Sequence, residues 1–281
     1  MLKHRPPLIA WIALFLLARV SVADPPDVPK TRPLLQAHAH NDYLHARPLL
    51  DALDHSFTSV EADVFLVDGQ LLVAHERSQL DPHRTLRRLY LDPLKSLAQR
   101  HGGRIWPDGP TLTLLVDMKA DGEAAYRALD EQLADYADII SSAHDGRWQT
   151  KAVTVVVSGD RAWKTIAGER SRRVGLDGRL SDLGSDLPVH LLPLISDNWT
   201  NHFRWRGEGP LPAAERAKLR DIVKRAHAKR RRVRFWATPD VPAVWRELAA
   251  AEVDLINTDD LAGLERFLRK EQSKEESDES R

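Results

Sequence analysis

The chain has 281 residues, no cysteine, and 41 Lys and Arg against 41 Asp and Glu, a formal net charge of zero. That balance removes the electrostatic case for nucleic-acid binding. The lack of cysteine rules out disulfides and a lipid-anchored cysteine, and the composition is that of an ordinary soluble globular protein.

At the start, Lys3, His4 and Arg5 precede an apolar run, Leu8 to Ala18, and Ser21-Val22-Ala23 fits a small-residue cleavage site. This pattern predicts a signal peptide over residues 1–23 and an exported protein, periplasmic or secreted, with no membrane span after processing. The apolar run is shorter than the ~20 residues a span needs. Residues 24–33 are proline-rich and read as a linker. From 34 to 270, short apolar β-branched runs alternate with helical spacing. Strands are expected at Leu34–Ala39, Ser59–Val64, Leu112–Val116, Val153–Val157, Arg173–Leu176, Val189–Leu194, Val233–Trp236 and Val253–Ile256. Helical patterns cover Leu86–Gln99, Glu123–Ile140, Ala213–Lys229 and Val241–Ala251, whereas Asp177–Leu187 is turn-rich. Eight strands alternating with helices predict an α/β protein, a single (β/α)8 TIM barrel. An open doubly wound sheet is the alternative, but no glycine-rich turn follows the first strand. The basic run Lys224–Arg234 reads as decoration of a helix C-terminus. Residues 271–281 are charged, lack apolar side chains, and read as a disordered tail.

Chemistry concentrates at the C-terminal ends of the expected strands: His40, Glu61 and Asp63, Asp117 and Lys119, Ser158, Asp177, Trp236 and Asn257. In a barrel those ends share one rim, where active sites form. Glu61 and Asp63 are two apart and face the same way, as do Asp117 and Lys119. Three carboxylates at one spot need a positive charge between them, which a hard cation, Mg²⁺ or Ca²⁺, supplies through oxygen ligands. Lys119 is placed to neutralise a phosphate oxygen. The bland alternative is a set of rim ion pairs, Glu61 or Asp63 with Arg47 or Arg77, and Asp117 with Lys119. His75 poses a geometric difficulty. Asp68–Gly69 signals a two-residue hairpin, and a simple ladder would put His75 opposite Ala62, facing away from the carboxylates. A bulge or bend must turn it inward. His38 reads as a packing or hydrogen-bonding histidine, and Asp42 as a helix cap, with Asn41 left open. Trp199, Phe203, Trp205 and Trp236 offer an aromatic wall for a lipid tail or choline-like head group, with loop packing the alternative for the first three.

The stretches "HNDY", "SVEADV", "LLVAHE", "RTLRRLYLDPL", "VDMK", "VVVSGDR", "LDGR", "SDNW", "RFWATPD" and "LINTDD" resemble the phospholipase C-like phosphodiesterases. This superfamily of barrels includes glycerophosphodiester phosphodiesterases and sphingomyelinase D-like enzymes. The similarity is closest to a branch related to the fungal altered-inheritance-of-mitochondria proteins. The resemblance implies that His40 and His75 are an acid/base pair, and that Glu61, Asp63 and Asp117 bind a divalent cation. It further implies that Lys119 meets the phosphate, and that Asn41, Trp236 and Asn257 line the substrate site. Two departures separate the chain from typical glycerophosphodiesterases, which open with His-Arg-Gly followed by Glu-Asn-Thr. Here His40-Asn41-Asp42 stands instead, and Asp117 replaces their usual Glu, an Asp-x-Lys form closer to the sphingomyelinase D-like branch.

The expected function is therefore metal-dependent hydrolysis of a small-molecule or lipid phosphodiester. A non-catalytic barrel binding a phosphorylated or sugar-like ligand is the main alternative. A sugar hydrolase using Glu61 and Asp63 is weaker, because carboxylates two apart on one strand would have to flank the scissile bond. The oligomeric state is not legible.

Overall fold

The computed structural model describes residues 32–107 and 109–279. The expected signal peptide and most of the linker lie outside the described residues. The strands are β1 (Leu34–Ala39), β2 (Phe57–Val67), β3 (Gln70–Val73), β4 (Leu112–Met118), β5 (Ser142–His144), β6 (Arg147–Gln149), β7 (Val153–Gly159), β8 (Ser171–Arg172), β9 (Val174–Gly178), β10 (Leu194–Asn198), β11 (Arg232–Trp236) and β12 (Leu255–Thr258). The helices are α1 (Leu50–Asp54), α2 (Asp92–Arg100), α3 (Gly122–Ala134), α4 (Trp163–Gly168), α5 (Trp199–His202), α6 (Ala213–Ala228), α7 (Pro242–Ala250) and α8 (Leu261–Glu279).

Eight parallel strands run β1-β2-β4-β7-β9-β10-β11-β12, and β12 pairs back onto β1, closing the expected barrel. Alternation along each strand decides what faces where. Outward residues such as Val60, Ala62, Leu114, Val116, Val155 and Val157 join one buried core with helix residues such as Leu94, Leu97, Leu129 and Leu133. Inside the barrel a separate small apolar cluster, Leu115, Val156, Leu194 and Leu255, forms the floor. Above it the inward positions are polar.

Three elements depart from expectation. The helix expected over Glu123–Ile140 ends at Ala134, and residues 135–139 turn instead. β10 begins at Leu194 rather than running Val189–Leu194. Leu191 and Leu192 both donate backbone N–H bonds to Pro188 O, so the apolar run closes a turn, and the strand starts only beyond Pro193. The segment from Glu271, expected to be disordered, instead continues α8 to Glu279. It has no Gly or Pro, and Lys274 pairs with Glu271 one turn back. No α-helix forms between β9 and β10, in line with the turn-rich reading of Asp177–Leu187. Among the described residues no helix is long and apolar enough to cross a membrane.

Candidate active site

The deepest polar layer comes from β1, β2 and β11. Period-two alternation turns His38, Ser59, Glu61 and Arg234 inward, and all four are buried. Arg234 pairs with Glu61 Oε2 through Nη1, and the same Nη1 lies 2.5 Å from His38 Nε2. His38 Nδ1 lies 2.7 Å from Ser59 Oγ. An arginine N–H can only donate, so His38 Nε2 accepts and Nδ1 carries the proton that goes to Ser59. Burial, and then the Arg234 charge, pull the His38 pKa down to about 3, so the ring stays neutral. Burial alone would raise Glu61, but the Arg234 charge outweighs it and holds the carboxylate well below its ordinary value.

One step up β2 lies the rim layer. Asp63 Oδ2 accepts from Tyr43 OH at 2.6 Å, meets His75 Nδ1 at 2.9 Å, and pairs with Lys119 Nζ at 2.6 Å. Lys119 also reaches Asp117 Oδ2 at 2.8 Å, and Asp117 is the direct neighbour of Asp63 in the β2–β4 register. Burial, then the Glu61 charge, raise the Asp63 pKa against the opposing pull of Lys119. His75 reaches this cluster because the hairpin ladder stops short of it. Asp68 and Gly69 make the two-residue turn with φ of 48° and 78°, and the ladder runs from Val67–Gln70 to Val64–Val73. After one more bond, Ala74 N–H to Asp63 O, the chain leaves the ladder and the ring turns inward. His75 remains half exposed, at 52%.

On the other side of the rim, His40 Nδ1 bonds Asp259 Oδ1 at 2.8 Å. Asn41 Nδ2 lies 3.0 Å from that ring nitrogen and 3.4 Å from Asp259 Oδ1; with the proton on Nδ1, the amide donates to Asp259. Burial alone would lower the His40 pKa, but the Asp259 hydrogen bond and the Glu61 charge raise it overall. Each rim histidine thus has Nδ1 held by a carboxylate. No hydrogen bond among the described residues occupies Nε2 of either ring, so Nε2 is the atom available for proton exchange. Asn257 is buried with Oδ1 unpartnered, and Trp236 carries the Arg179 guanidinium 4.8 Å from its ring centre.

Among the described residues, no group of three or more His, Asp or Glu is drawn closely enough together to hold an ion as it stands. The donor set nonetheless fits a hard cation. Glu61, Asp63 and Asp117 each have one oxygen engaged by Arg234 or Lys119. No hydrogen bond among the described residues reaches Glu61 Oε1, Asp63 Oδ1 or Asp117 Oδ1, and Asp63 Oδ1 is fully buried.

The structure brings His40, Asn41, Glu61, Asp63, His75, Asp117, Lys119, Trp236 and Asn257 to one end of the barrel. It corrects several neighbouring readings. Arg47 pairs with Asp51 and Asp54, and Arg77 with Asp121, so neither serves Glu61 or Asp63. Asp42 does not cap its own turn; it is buried and accepts from Leu49 N–H, just before α1, and from Tyr90 OH. Trp199, Phe203 and Trp205 are packed core, with Trp199 stacked on Phe203 at 4.0 Å, and form no wall. The basic run ends in structural roles: Arg231 holds the carbonyls of Asp182, Ser185 and Leu187, and Arg232 spans to Thr113. Tyr43, Arg234 and Asp259 also belong to the site, without a sequence expectation for any of them. Arg232, Arg234 and Trp236 alternate with Val233 and Phe235, a period-two pattern that marks Arg234 as inward-facing.

The model of the AIM6-like phosphodiesterase domain matches residues 29–105, and that of the glycerophosphoryl diester phosphodiesterase family matches residues 232–262. A crystal structure of a glycerophosphodiester phosphodiesterase from Parabacteroides distasonis superposes with a TM-score of 0.52 at 15% identity, covering 86% of this chain and 100% of that one. The fold is therefore a (β/α)8 barrel of the glycerophosphodiester phosphodiesterase type. The chain is 30% identical over 267 residues to the altered inheritance of mitochondria protein 6 homolog of Arthroderma benhamiae, covering 84% of this chain and 85% of that protein. It is 27% identical over 271 residues to altered inheritance of mitochondria protein 6 of Saccharomyces cerevisiae, covering 81% and 69%. The chain belongs to the altered inheritance of mitochondria protein 6 family, the branch its sequence resembles.

Proposed function

We propose that this protein is an exported, divalent-cation-dependent phosphodiesterase acting on a glycerophosphodiester or lysophospholipid head group. The observation that carries this reading is the pair His40 and His75. Each has Nδ1 tied to a carboxylate and Nε2 open, and both stand at the rim that holds Glu61, Asp63, Asp117 and Lys119.

A phosphodiester resists attack because it is already anionic. Glu61, Asp63 and Asp117 would hold Mg²⁺ or Ca²⁺ through the oxygens that Arg234 and Lys119 leave open, and the bound ion would offset phosphate charge. Lys119 adds a fixed positive charge at the same place. One histidine takes the proton of the attacking hydroxyl at Nε2, and the other returns a proton to the leaving alkoxide. Attack by water gives an open phosphate; attack by a substrate hydroxyl beside the ester gives a cyclic one. Asp259 and Asp63 orient the two rings and stabilise each imidazolium as it forms. Tyr43 fixes Asp63 in turn. Residues 1–23 supply the case for export.

The test is turnover of a panel of glycerophosphodiesters and lysophospholipids with Mg²⁺, Ca²⁺ or EDTA. Cation-dependent release of the head group is expected. Turnover that persists in EDTA removes the cation from the reading. Tight binding of a diester without cleavage favours the binding-protein alternative.

A further inference from the structure

Beside the catalytic rim, between the ends of β7 and β9, lies a cavity of about 400 Å³ lined chiefly by Asp160, Arg161, Trp163, Arg179, Ser181 and Asp182. Two contacts join it to the site. Gly159, also in its wall, is so close to the rim that a Cβ there would stand 2.9 Å from Asp117 Oδ1. Arg179 lies over the Trp236 ring. A substrate with its phosphate at Asp117 and Lys119 therefore has this cavity within reach of its next group.

The cavity carries charges of both signs. Arg161 and Arg179 each donate through Nη1 to the Asp177 carbonyl oxygen, and Arg179 also pairs with Asp177 Oδ2 at 2.9 Å. The Asp177 carboxylate, shared with Ser158 and Ser196, neutralises one guanidinium and not both. Burial and the adjacent Arg179 charge push the Arg161 pKa down, a strain that an incoming anion relieves. Asp160 and Asp182 face the same space. Each uses Oδ2 on a backbone N–H, of Gly122 at 3.0 Å and of Arg179 at 2.8 Å, and among the described residues no hydrogen bond reaches the other oxygen. A simple anion would suit the arginines and be repelled by the carboxylates, and a simple cation would meet the reverse.

A group bearing both charges satisfies both pairs. We propose, building on the phosphodiesterase reading above, that this cavity takes a zwitterionic amino-acid head group, with its carboxylate on Arg161 and Arg179 and its ammonium on Asp160 and Asp182. The preferred substrate class is then a serine-type glycerophosphodiester or lysophospholipid. Arg forks match carboxylates bidentately, which makes the carboxylate the stronger determinant.

The test compares glycerophosphoserine with glycerophosphoethanolamine, which lacks the carboxylate, and glycerophosphoglycerol, which lacks both charges. Turnover and calorimetric binding are measured for the native protein, Arg161→Gln and Arg161→Lys. Glycerophosphoserine is expected to exceed glycerophosphoethanolamine in kcat/KM by about tenfold or more, the scale of a charge-assisted hydrogen bond. Arg161→Gln brings that ratio toward one, and Arg161→Lys retains part of it. Equal kcat/KM across the three diesters, or a ratio that Arg161→Gln leaves intact, overturns the assignment. If none of the three is cleaved, the glycerophosphodiester half of the phosphodiesterase reading fails and binding decides the cavity. Tighter binding of glycerophosphoserine that is lost in Arg161→Gln upholds it; equal binding, or none, overturns it.

Discussion

Glu61 and Asp63 stand two residues apart on one face of β2, yet the barrel treats them differently. Glu61 sits in the inner layer, where buried Arg234 meets its Oε2 and donates to the neutral His38 as well. Asp63 sits one step higher, where Lys119, Tyr43 and His75 converge on its Oδ2 and the site opens to solvent at His75. Both layers pair a carboxylate with a cation. Depth decides what the pair does. Buried on both sides, the inner pair acts as a joint of the barrel through Glu61 Oε2, while Oε1 stays unengaged among the described residues; at the rim, the same kind of pair leaves a histidine free to exchange protons.

The sharpest way to break this comparison is to remove one cation from each layer. Arg234→Met strands a buried carboxylate and should cost about 3–5 kcal/mol of stability, read by denaturant unfolding. Adding Glu61→Gln should recover part of that loss. A single variant as stable as the native protein would show that the inner pair is no joint. Lys119→Met, by contrast, should cost less stability than Arg234→Met, because Lys119 is partly exposed and Tyr43 and His75 still hold the buried Asp63 carboxylate. Its cost should fall on turnover, by about a hundredfold or more if it offsets phosphate charge. A smaller effect is expected at Asp259. Because its hydrogen bond raises the His40 pKa, Asp259→Asn should move the limb of the pH–rate profile governed by His40 toward lower pH; an unmoved limb would disconnect the two residues. The least effect should come from Asp42, beneath the rim, whose pKa burial pushes up to about 7 from an ordinary 3.8. The folded value lies above the unfolded one, so the stability it contributes is full at acid pH and falls as pH rises across that window. Asp42→Asn should flatten the fall, seen by comparing unfolding at about pH 5 and about pH 7.5.

Much of this arrangement is legible in the sequence because it rests on period-two alternation. Glu61 with Asp63, and Asp117 with Lys119, declare a shared face by spacing alone, and strand-to-helix alternation implies the closed barrel. Other features depend on where chain breaks fall. β10 was displaced because an apolar run between two prolines looks like a strand, although Pro193 makes it a turn. His75 turns inward only because its hairpin ladder ends at Val64–Val73, which no local pattern reveals. Asp259 reaches His40 across the β12–β1 seam, a contact 219 positions apart in sequence. Arg234 follows the same alternation, but it ends a basic run, Lys224–Arg234, whose charge reads as a helix end.

The central claim is that His40 and His75 act together on a phosphodiester, and the measurement that tests it most directly is cation-supported diester turnover by the native protein beside His40→Ala and His75→Ala. The account predicts that each substitution lowers turnover by about a hundredfold or more, with folding and diester binding largely kept. Turnover retained in either variant at near-native rates would contradict it.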